Sequence, residues 1–197
     1  MPEKKKRGVE RKPIFLPIIT DAFVEQGYRG TTTADLARRC NVRENELYRI
    51  WPSKKQMFLD SIDYVFEVTR EHWQQVLDSR GDERSDAERI LDFQSRDHGK
   101  MRLYRIVFAG LTESDDKEIR ASLRKLYRKF YALLFELVSA HRSQSGHQAV
   151  SDESTIHTVW SIIGIGTIVD IQRELGLLSK SEREQFMRRT AGMFLQQ

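Results

Sequence analysis

The amino-acid sequence predicts an all-α protein with two helical domains. Apolar residues recur at helical spacing along most of the chain, and no stretch alternates with the period of two that a half-buried strand requires. Only four prolines interrupt 197 residues, and a hydrophobic content of 39% is typical of a globular chain. We therefore expect a three-helix N-terminal domain over residues 1–58 and a helical-bundle C-terminal domain over residues 59–197.

The chain begins with a basic tail over residues 1–12. This tail has no apolar periodicity, and we expect it to be disordered in the free protein. It either keeps the protein soluble or acts as an arm that contacts phosphates or a minor groove. A helical stripe follows from Ile14 to Gln26, and Pro17 fits it if the helix begins near Ile14, so that the missing amide falls in the first turn.

Residues 32–50 have the pattern of two short helices joined by a tight turn. Thr32 is an N-cap for the first, which ends near residue 40, and Asp35 stands three residues further on. Asn41 tolerates the left-handed conformation that ends a helix. The second helix is expected over about residues 43–50. This arrangement is a helix-turn-helix, whose second helix enters the major groove of DNA.

A long helix is expected from Ser53 to about Ser79, because Ser53 and Gln56 have the spacing of a capping box. Its first turns belong to the N-terminal domain and its last turns to the C-terminal domain. The sequence therefore predicts that this helix is the mechanical link between the two.

The side-chain chemistry around the second short helix predicts a division of labour on DNA. Asn45 can form two hydrogen bonds with adenine, Glu44 can accept from cytosine, and Arg43 can reach a guanine or a phosphate. Phosphate contacts are predicted for Thr32, Tyr48 and Lys54, and Arg49 is a further candidate for DNA binding.

The N-terminal domain resembles the DNA-binding domain of TetR-type transcriptional repressors over roughly residues 14–60. The resemblance rests on Phe23, Gly27, Tyr28, Thr32, Leu36, Ala37, Val42, Leu47, Tyr48, Trp51, Ser53 and Lys54. The chain departs from the family pattern on or beside the second short helix, at Asn41, Arg43, Glu46, Ile50 and Trp51. The operator sequence therefore does not follow from the resemblance.

The resemblance implies a cytoplasmic, ligand-responsive repressor that binds a palindromic operator in double-stranded DNA as a homodimer. A small, largely apolar effector would bind the C-terminal domain, tilt the long helix and change the separation of the two reading helices. The alternative is a helical ligand-carrier or interaction protein that no longer binds specific DNA. Glu44 and Glu46 motivate this alternative, because carboxylates beside phosphates are repulsive.

The C-terminal domain is expected to contain helices over about residues 86–97, 100–112, 116–142, 152–175 and 181–195. Aromatic residues of the long helix and of these helices are candidates for an effector cavity, namely Phe66, Trp73, Tyr104, Phe108, Tyr127, Phe130, Tyr131 and Trp160. The helix at 152–175 has an apolar stripe wider than one core requires, with a small residue at Gly164. Paired with the last helix, it predicts a four-helix dimer interface.

Charge and composition favour DNA binding over other functions. Residues 1–58 contain 13 Lys and Arg against 7 Asp and Glu, a net charge of +6, whereas the remaining residues carry a net charge of −2. No catalytic motif, metal-ligand spacing or phosphate-binding loop is present, so we expect no enzymatic activity, no metal and no cofactor. The longest uncharged run is too short and too polar to cross a bilayer, and we expect no membrane partner.

Overall fold

The structure is a computed structural model that describes residues 2–79, 83–144 and 152–196, with the backbone alone for residues 2–10 and 152. Every regular element in these residues is an α-helix, which confirms the predicted all-α fold. In chain order the helices are α1 (Pro2–Gly30), α2 (Thr33–Arg39), α3 (Glu44–Leu47), α4 (Lys54–Asp78), α5 (Asp86–Asp97), α6 (Tyr104–Thr112), α7 (Lys117–Gln144), α8 (Asp152–Glu174) and α9 (Lys180–Leu195).

Helix α1 corrects two expectations about the N-terminus. The helix begins at Pro2 rather than near Ile14, so the backbone of the basic tail is helical and Pro17 lies inside the helix. Lys, Arg and Glu have high helix propensity, which favours continuation of the helix through the tail. The helix ends in a kink at Gly27, whose φ of 70° suits a residue without a Cβ.

The chain divides into two compact units, and the first comprises Met1–Val68 and Met101–Leu126. Its core is built around Phe23 and Phe58, whose ring centroids lie 5.0 Å apart with an edge-on geometry. Helix α6 packs against α1 in this unit, where Arg105 donates to the Val24 carbonyl at 3.3 Å. The unit therefore contains more than the three helices of residues 1–58, and a functional boundary at residue 58 stays a prediction.

The second unit comprises Thr69–Lys100 and Tyr127–Gln197. Helix α9 packs against both α5 and α8, and the core residues between them include Val159, Val169 and Met187. Gly166 of α8 allows close approach of α5, because a Cβ at this position would lie 3.2 Å from Cε1 of His98. This glycine therefore lets His98, the residue that follows α5, pack closely against α8.

Two helix starts differ from the sequence-based expectation. Helix α6 begins at Tyr104 rather than near residue 100, because Gly99 and Arg102 have positive φ values of 67° and 57°. Helix α9 is capped by Ser179, whose hydroxyl accepts from the Glu182 amide, and not by Ser181. Helix α6 therefore begins later than periodicity indicates, whereas α9 begins one residue earlier.

Within the described residues, one helical segment, Glu153–Glu174 in α8, is long and apolar enough to cross a membrane by length and composition. Its mean hydropathy is 1.3, and core helices of soluble proteins pass the same test. Val159 and Val169 of this segment are buried in core clusters of the second unit. Their burial favours a core helix.

Candidate nucleic-acid interface

Helices α2 and α3 form the two arms of the predicted helix-turn-helix. The Thr32 hydroxyl accepts from the Asp35 amide at 3.1 Å, so the predicted N-cap of α2 is confirmed. Asn41 has a φ of 52°, which confirms the predicted left-handed turn. The Val42 amide donates to the Ala37 carbonyl at 3.0 Å and closes the turn. These local bonds determine the angle at which α3 leaves α2.

Helix α3 is shorter than expected, because it covers Glu44–Leu47 rather than about residues 43–50. The chain continues in turns, in which the amides of Ile50 and Trp51 both donate to the Leu47 carbonyl at 2.9 Å. The Leu47 side chain is fully buried and anchors α3 to the domain core. The segment therefore keeps a helix-like path, although only one turn of it is a regular α-helix.

The residues around this anchor present a polar surface. All five side chains that the sequence assigns to DNA in this segment are exposed, and Tyr48 is exposed to 46%. Within the described residues, four of them make no hydrogen bond or ion pair through their side chains; these are Arg43, Asn45, Tyr48 and Arg49. The predicted base-contacting residues Arg43, Glu44 and Asn45 are thus adjacent and exposed at the start of α3.

The acidic residues on the same segment have partners. The Thr33 hydroxyl donates to Glu44 at 2.7 Å. Arg11 of α1 donates to the Glu46 carboxylate at 2.8 Å, and this hydrogen bond holds the pKa of Glu46 below its ordinary value. The negative charge of Glu46 is therefore compensated from within the protein, which reduces the repulsion that a phosphate would meet.

Lys54 has a position that sequence reasoning missed. Its Nζ atom donates to the carbonyls of Tyr28 and Thr31, each at 2.9 Å, and lies 4.5 Å from the centroid of the Tyr28 ring. Burial lowers the pKa of Lys54. The two bonds satisfy carbonyls at the end of α1 and leave one N–H of the ammonium for another acceptor. A phosphate contact by Lys54 stays a prediction beside this structural role.

The scaffold beneath the interface is held by polar contacts as well as by packing. The buried Trp51 donates through Nε1 to Asp60 at 2.5 Å, and Lys12 of α1 lies 2.6 Å from the same carboxylate. The Ser53 hydroxyl accepts from the Gln56 amide at 3.1 Å, which confirms one bond of the predicted capping box. The Gln56 side chain instead donates to Asp60 at 3.1 Å.

The eight residues predicted for an effector cavity belong to both compact units. Phe66, Tyr104 and Phe108 belong to the first unit. The second unit contains the other five, which are Trp73, Tyr127, Phe130, Tyr131 and Trp160. An effector site lined by these residues stays a prediction.

Within the second unit, the aromatic side chains differ strongly in exposure. Trp73 is buried, and its ring centroid lies 6.4 Å from that of Phe130. Trp160 is 49% exposed, although its ring lies 5.7 Å from that of Tyr131. Trp160 therefore lies at the surface of α8 and would not enclose a ligand bound in the interior.

Sequence reasoning did not single out the polar groups of this unit. Burial raises the pKa of Tyr127, while a hydrogen bond with the Thr167 side chain lowers it. His98 Nε2 lies 3.1 Å from the Gly166 carbonyl oxygen and 3.2 Å from Oδ1 of the buried Asp170. These residues are distant in sequence, so no local motif could have found them. Among the described residues no group of three or more His, Cys, Asp or Glu could hold a metal ion.

The geometry of α2, α3 and their exposed face defines a helix-turn-helix DNA-binding domain. The sequence model of the family described as bacterial regulatory proteins, tetR family, matches residues 20–60. These residues form a TetR-type helix-turn-helix domain.

Two curated relatives match this chain at low sequence identity. The nucleoid occlusion factor SlmA of Vibrio campbellii is 28% identical over 128 residues, which span 61% of this chain and 62% of that protein. SlmA of Alteromonas mediterranea is 24% identical over 160 residues, which span 79% of this chain and 80% of that protein.

Solved structures share the fold. A TetR-family transcriptional regulator from Cytophaga hutchinsonii has a TM-score of 0.78 at 12% identity, over 96% of this chain and 95% of that one. A putative regulator from Saccharomonospora viridis in complex with choline has a TM-score of 0.74 at 17% identity, over 92% and 95%. AibR, in complex with isovaleryl coenzyme A and operator DNA, has a TM-score of 0.65 at 16% identity, over 90% and 96%.

Proposed function

We propose that this protein is a DNA-binding transcriptional regulator that acts as a ligand-responsive repressor. The observation that carries the proposal is the exposed face around α3, where Arg43, Asn45 and Arg49 present unpaired donors on a TetR-type helix-turn-helix. Asn45 reads adenine through its amide, and the two arginines contact guanine or phosphate. Tyr48 and Thr32 hold the backbone of the DNA, each through a hydroxyl.

The proposed DNA-binding species is a homodimer that pairs through α8 and α9. Four positions of α8 spaced by four residues are exposed, and three of them carry large apolar side chains; they are Ile156, Trp160, Gly164 and Ile168. On α9, Met193 is 62% exposed. Monomeric soluble proteins rarely expose a continuous apolar stripe of this kind. A two-fold axis along it brings two reading helices to palindromic half-sites.

The proposed effector is a small molecule that binds inside the second unit. The buried Trp73 and the partly buried Tyr127 supply apolar surface, while Thr167 and Asp170 supply polar contacts. The Trp73 Nε1 atom is buried without a hydrogen bond in the described part of the chain and is available to a ligand, whereas Asp170 Oδ1 lies 3.2 Å from His98 Nε2. Complexes of fold neighbours with choline and with isovaleryl coenzyme A support a ligand-binding role for this architecture.

The chain passes between the two units inside α4, between α5 and α6, and inside α7. Within the first unit, Arg29 of α1 donates to both carboxylate oxygens of Glu113, at 2.6 and 3.1 Å, just beyond α6. A change in α6 therefore reaches α1 through direct contacts, and α1 packs against α2 of the helix-turn-helix. The ligand releases DNA by its differential affinity for two positions of these helices.

The experiment that tests the proposal measures binding of the full chain to random and selected duplex DNA. The logarithm of the affinity for random DNA should fall linearly with the logarithm of the salt concentration. The variant Asn45→Ala should lose preference for the selected operator by about 1–3 kcal/mol while retaining most affinity for random DNA. A wild-type protein without salt-dependent binding would instead support a helical ligand carrier.

A further inference from the structure

Arg142 is a buried arginine near the end of α7, and only 4% of its surface is exposed. Its two terminal nitrogens donate to hydroxyl groups of α8, at 2.8 Å to Thr155 and 2.9 Å to Thr158. A longer contact of 3.4 Å joins it to the Ser154 hydroxyl. The remaining donor, Nε, is buried without a hydrogen bond in the part of the chain that the structure describes. The guanidinium is thus held in place by neutral groups.

No carboxylate among the described side chains lies within ion-pair distance of this guanidinium. Hydroxyl groups satisfy hydrogen bonds but do not neutralise a charge, and a buried charge without a counter-ion costs several kcal/mol. Burial accordingly lowers the pKa of Arg142. Arg89 in the same unit is different, because the Asp86 carboxylate lies 3.4 Å from it. A bound anion would compensate this charge.

A second feature at the same location is the start of α8. Helix α8 begins at Asp152, so Thr155 belongs to its first turn. The first four backbone amides of a helix have no intrahelical partner, and their dipoles favour an anion at that end. The threonine hydroxyls that accept from Arg142 each retain a proton that can be donated. Guanidinium, hydroxyls and helix end together offer the donor set of an oxyanion site.

We propose that Arg142, Thr155 and Thr158 form a binding site for an oxyanion, either a carboxylate or a phosphate group. The guanidinium supplies the charge and the planar fork that both groups match, and the two hydroxyls orient it. This site is independent of the proposed DNA-binding function, because it rests only on charges and contacts in the second unit. It differs in chemistry from the largely apolar effector that the sequence predicts.

The test is thermal unfolding of the full chain in HEPES buffer at constant ionic strength, with sodium chloride replaced stepwise by sodium phosphate or by sodium acetate. The melting temperature of the wild type should rise along a saturating curve with one of the two anions, which identifies the preferred class. The variant Arg142→Met has similar bulk without charge. It should lose the response to the anion. Arg189→Met, at an exposed position, should keep it.

A second variant covers the case in which Arg142→Met does not fold. Arg142→Lys keeps the charge but removes the fork, and its apparent dissociation constant for the anion should rise at least about tenfold. The proposal is overturned if neither anion stabilises the wild type. It is also overturned if Arg142→Met lowers stability in chloride while responding to anions like the wild type. That result would make Arg142 a structural hydrogen-bond donor only.

Discussion

Removal of the Lys54 ammonium tests whether the end of α1 depends on it. The variant Lys54→Met keeps the apolar stem and leaves the carbonyls of Tyr28 and Thr31 without their donor. Hydrogen bonds from a charged group contribute about 1.5–3 kcal/mol each, and the burial that lowers the pKa of Lys54 offsets part of this sum. We expect a net loss of about 2 kcal/mol in the free energy of unfolding. For a chain of this size, that corresponds to a melting temperature lower by about 4–8 °C.

Urea unfolding followed by circular dichroism measures this loss, and Lys55→Met is the matched control. The Lys55 ammonium is paired with Asp116 at 3.3 Å and with Glu118, on a partly exposed surface where such pairs contribute less than about 1 kcal/mol. If Lys54→Met were as stable as Lys55→Met, the two carbonyl bonds would add nothing to stability. The same variant tests the DNA contact, because loss of one phosphate contact reduces the salt slope of binding by about 0.9.

Three further variants address charge, pH and assembly. Arg11→Gln should weaken binding to all DNA at low salt, because Glu46 then carries an uncompensated charge. Adding Glu46→Gln should restore the affinity. Equal affinities of the wild type and Arg11→Gln in fluorescence anisotropy would contradict this expectation. The Ser85 amide donates to Glu88 and lowers the pKa of that carboxylate below its ordinary 4.5. The stabilising contribution of the Glu88 carboxylate is therefore complete above pH 4.5 and is lost as pH falls through its folded-state pKa. Glu88→Gln should accordingly show a flatter decline in unfolding free energy than the wild type between about pH 5 and 3. Identical declines in the two proteins would exclude this contribution. Gly164→Glu should be folded, because no atom lies within 4 Å of the added Cβ, and it should sediment as a monomer. The control Gly164→Ala should stay dimeric. A dimeric Gly164→Glu variant or a monomeric wild type would contradict the proposed interface.

Local contacts explain which elements the sequence predicted well. The caps at Thr32 and Ser53 and the turn at Asn41 depend on residues three or four positions away, so a short window contains all the interacting groups. The long helix α4 was predicted within one residue at each end for the same reason. The start of α1 was wrong, because a charged segment without apolar periodicity can be helical as well as disordered.

The supporting contacts of the DNA-binding face could not be predicted, because they join residues far apart in the chain. Arg11 and Glu46 are 35 positions apart, and Lys54 reaches a carbonyl 26 positions earlier. Each partner alone is an ordinary charged surface residue. Their pairing depends on the angle between α1 and the later helices, and that angle results from the packing of the whole domain.

Helix α8 shows most clearly where hydrophobic periodicity does not predict which residues are buried. Apolar residues surround this helix, so the pattern does not distinguish Val159, which is buried, from Trp160, which is 49% exposed. Both faces are apolar for different reasons, since one completes the core of the second unit and the other is the proposed dimer surface. Buried polar residues distinguish the core face from the exposed face better than apolar residues do. Thr155, Thr158 and Asp170 are buried in α8, and burying their polar atoms is favourable only where Arg142 or His98 lies opposite. The core face of α8 is therefore marked by its polar side chains, and the fully apolar line through Ile156 and Ile168 is the face that we propose pairs with a second chain.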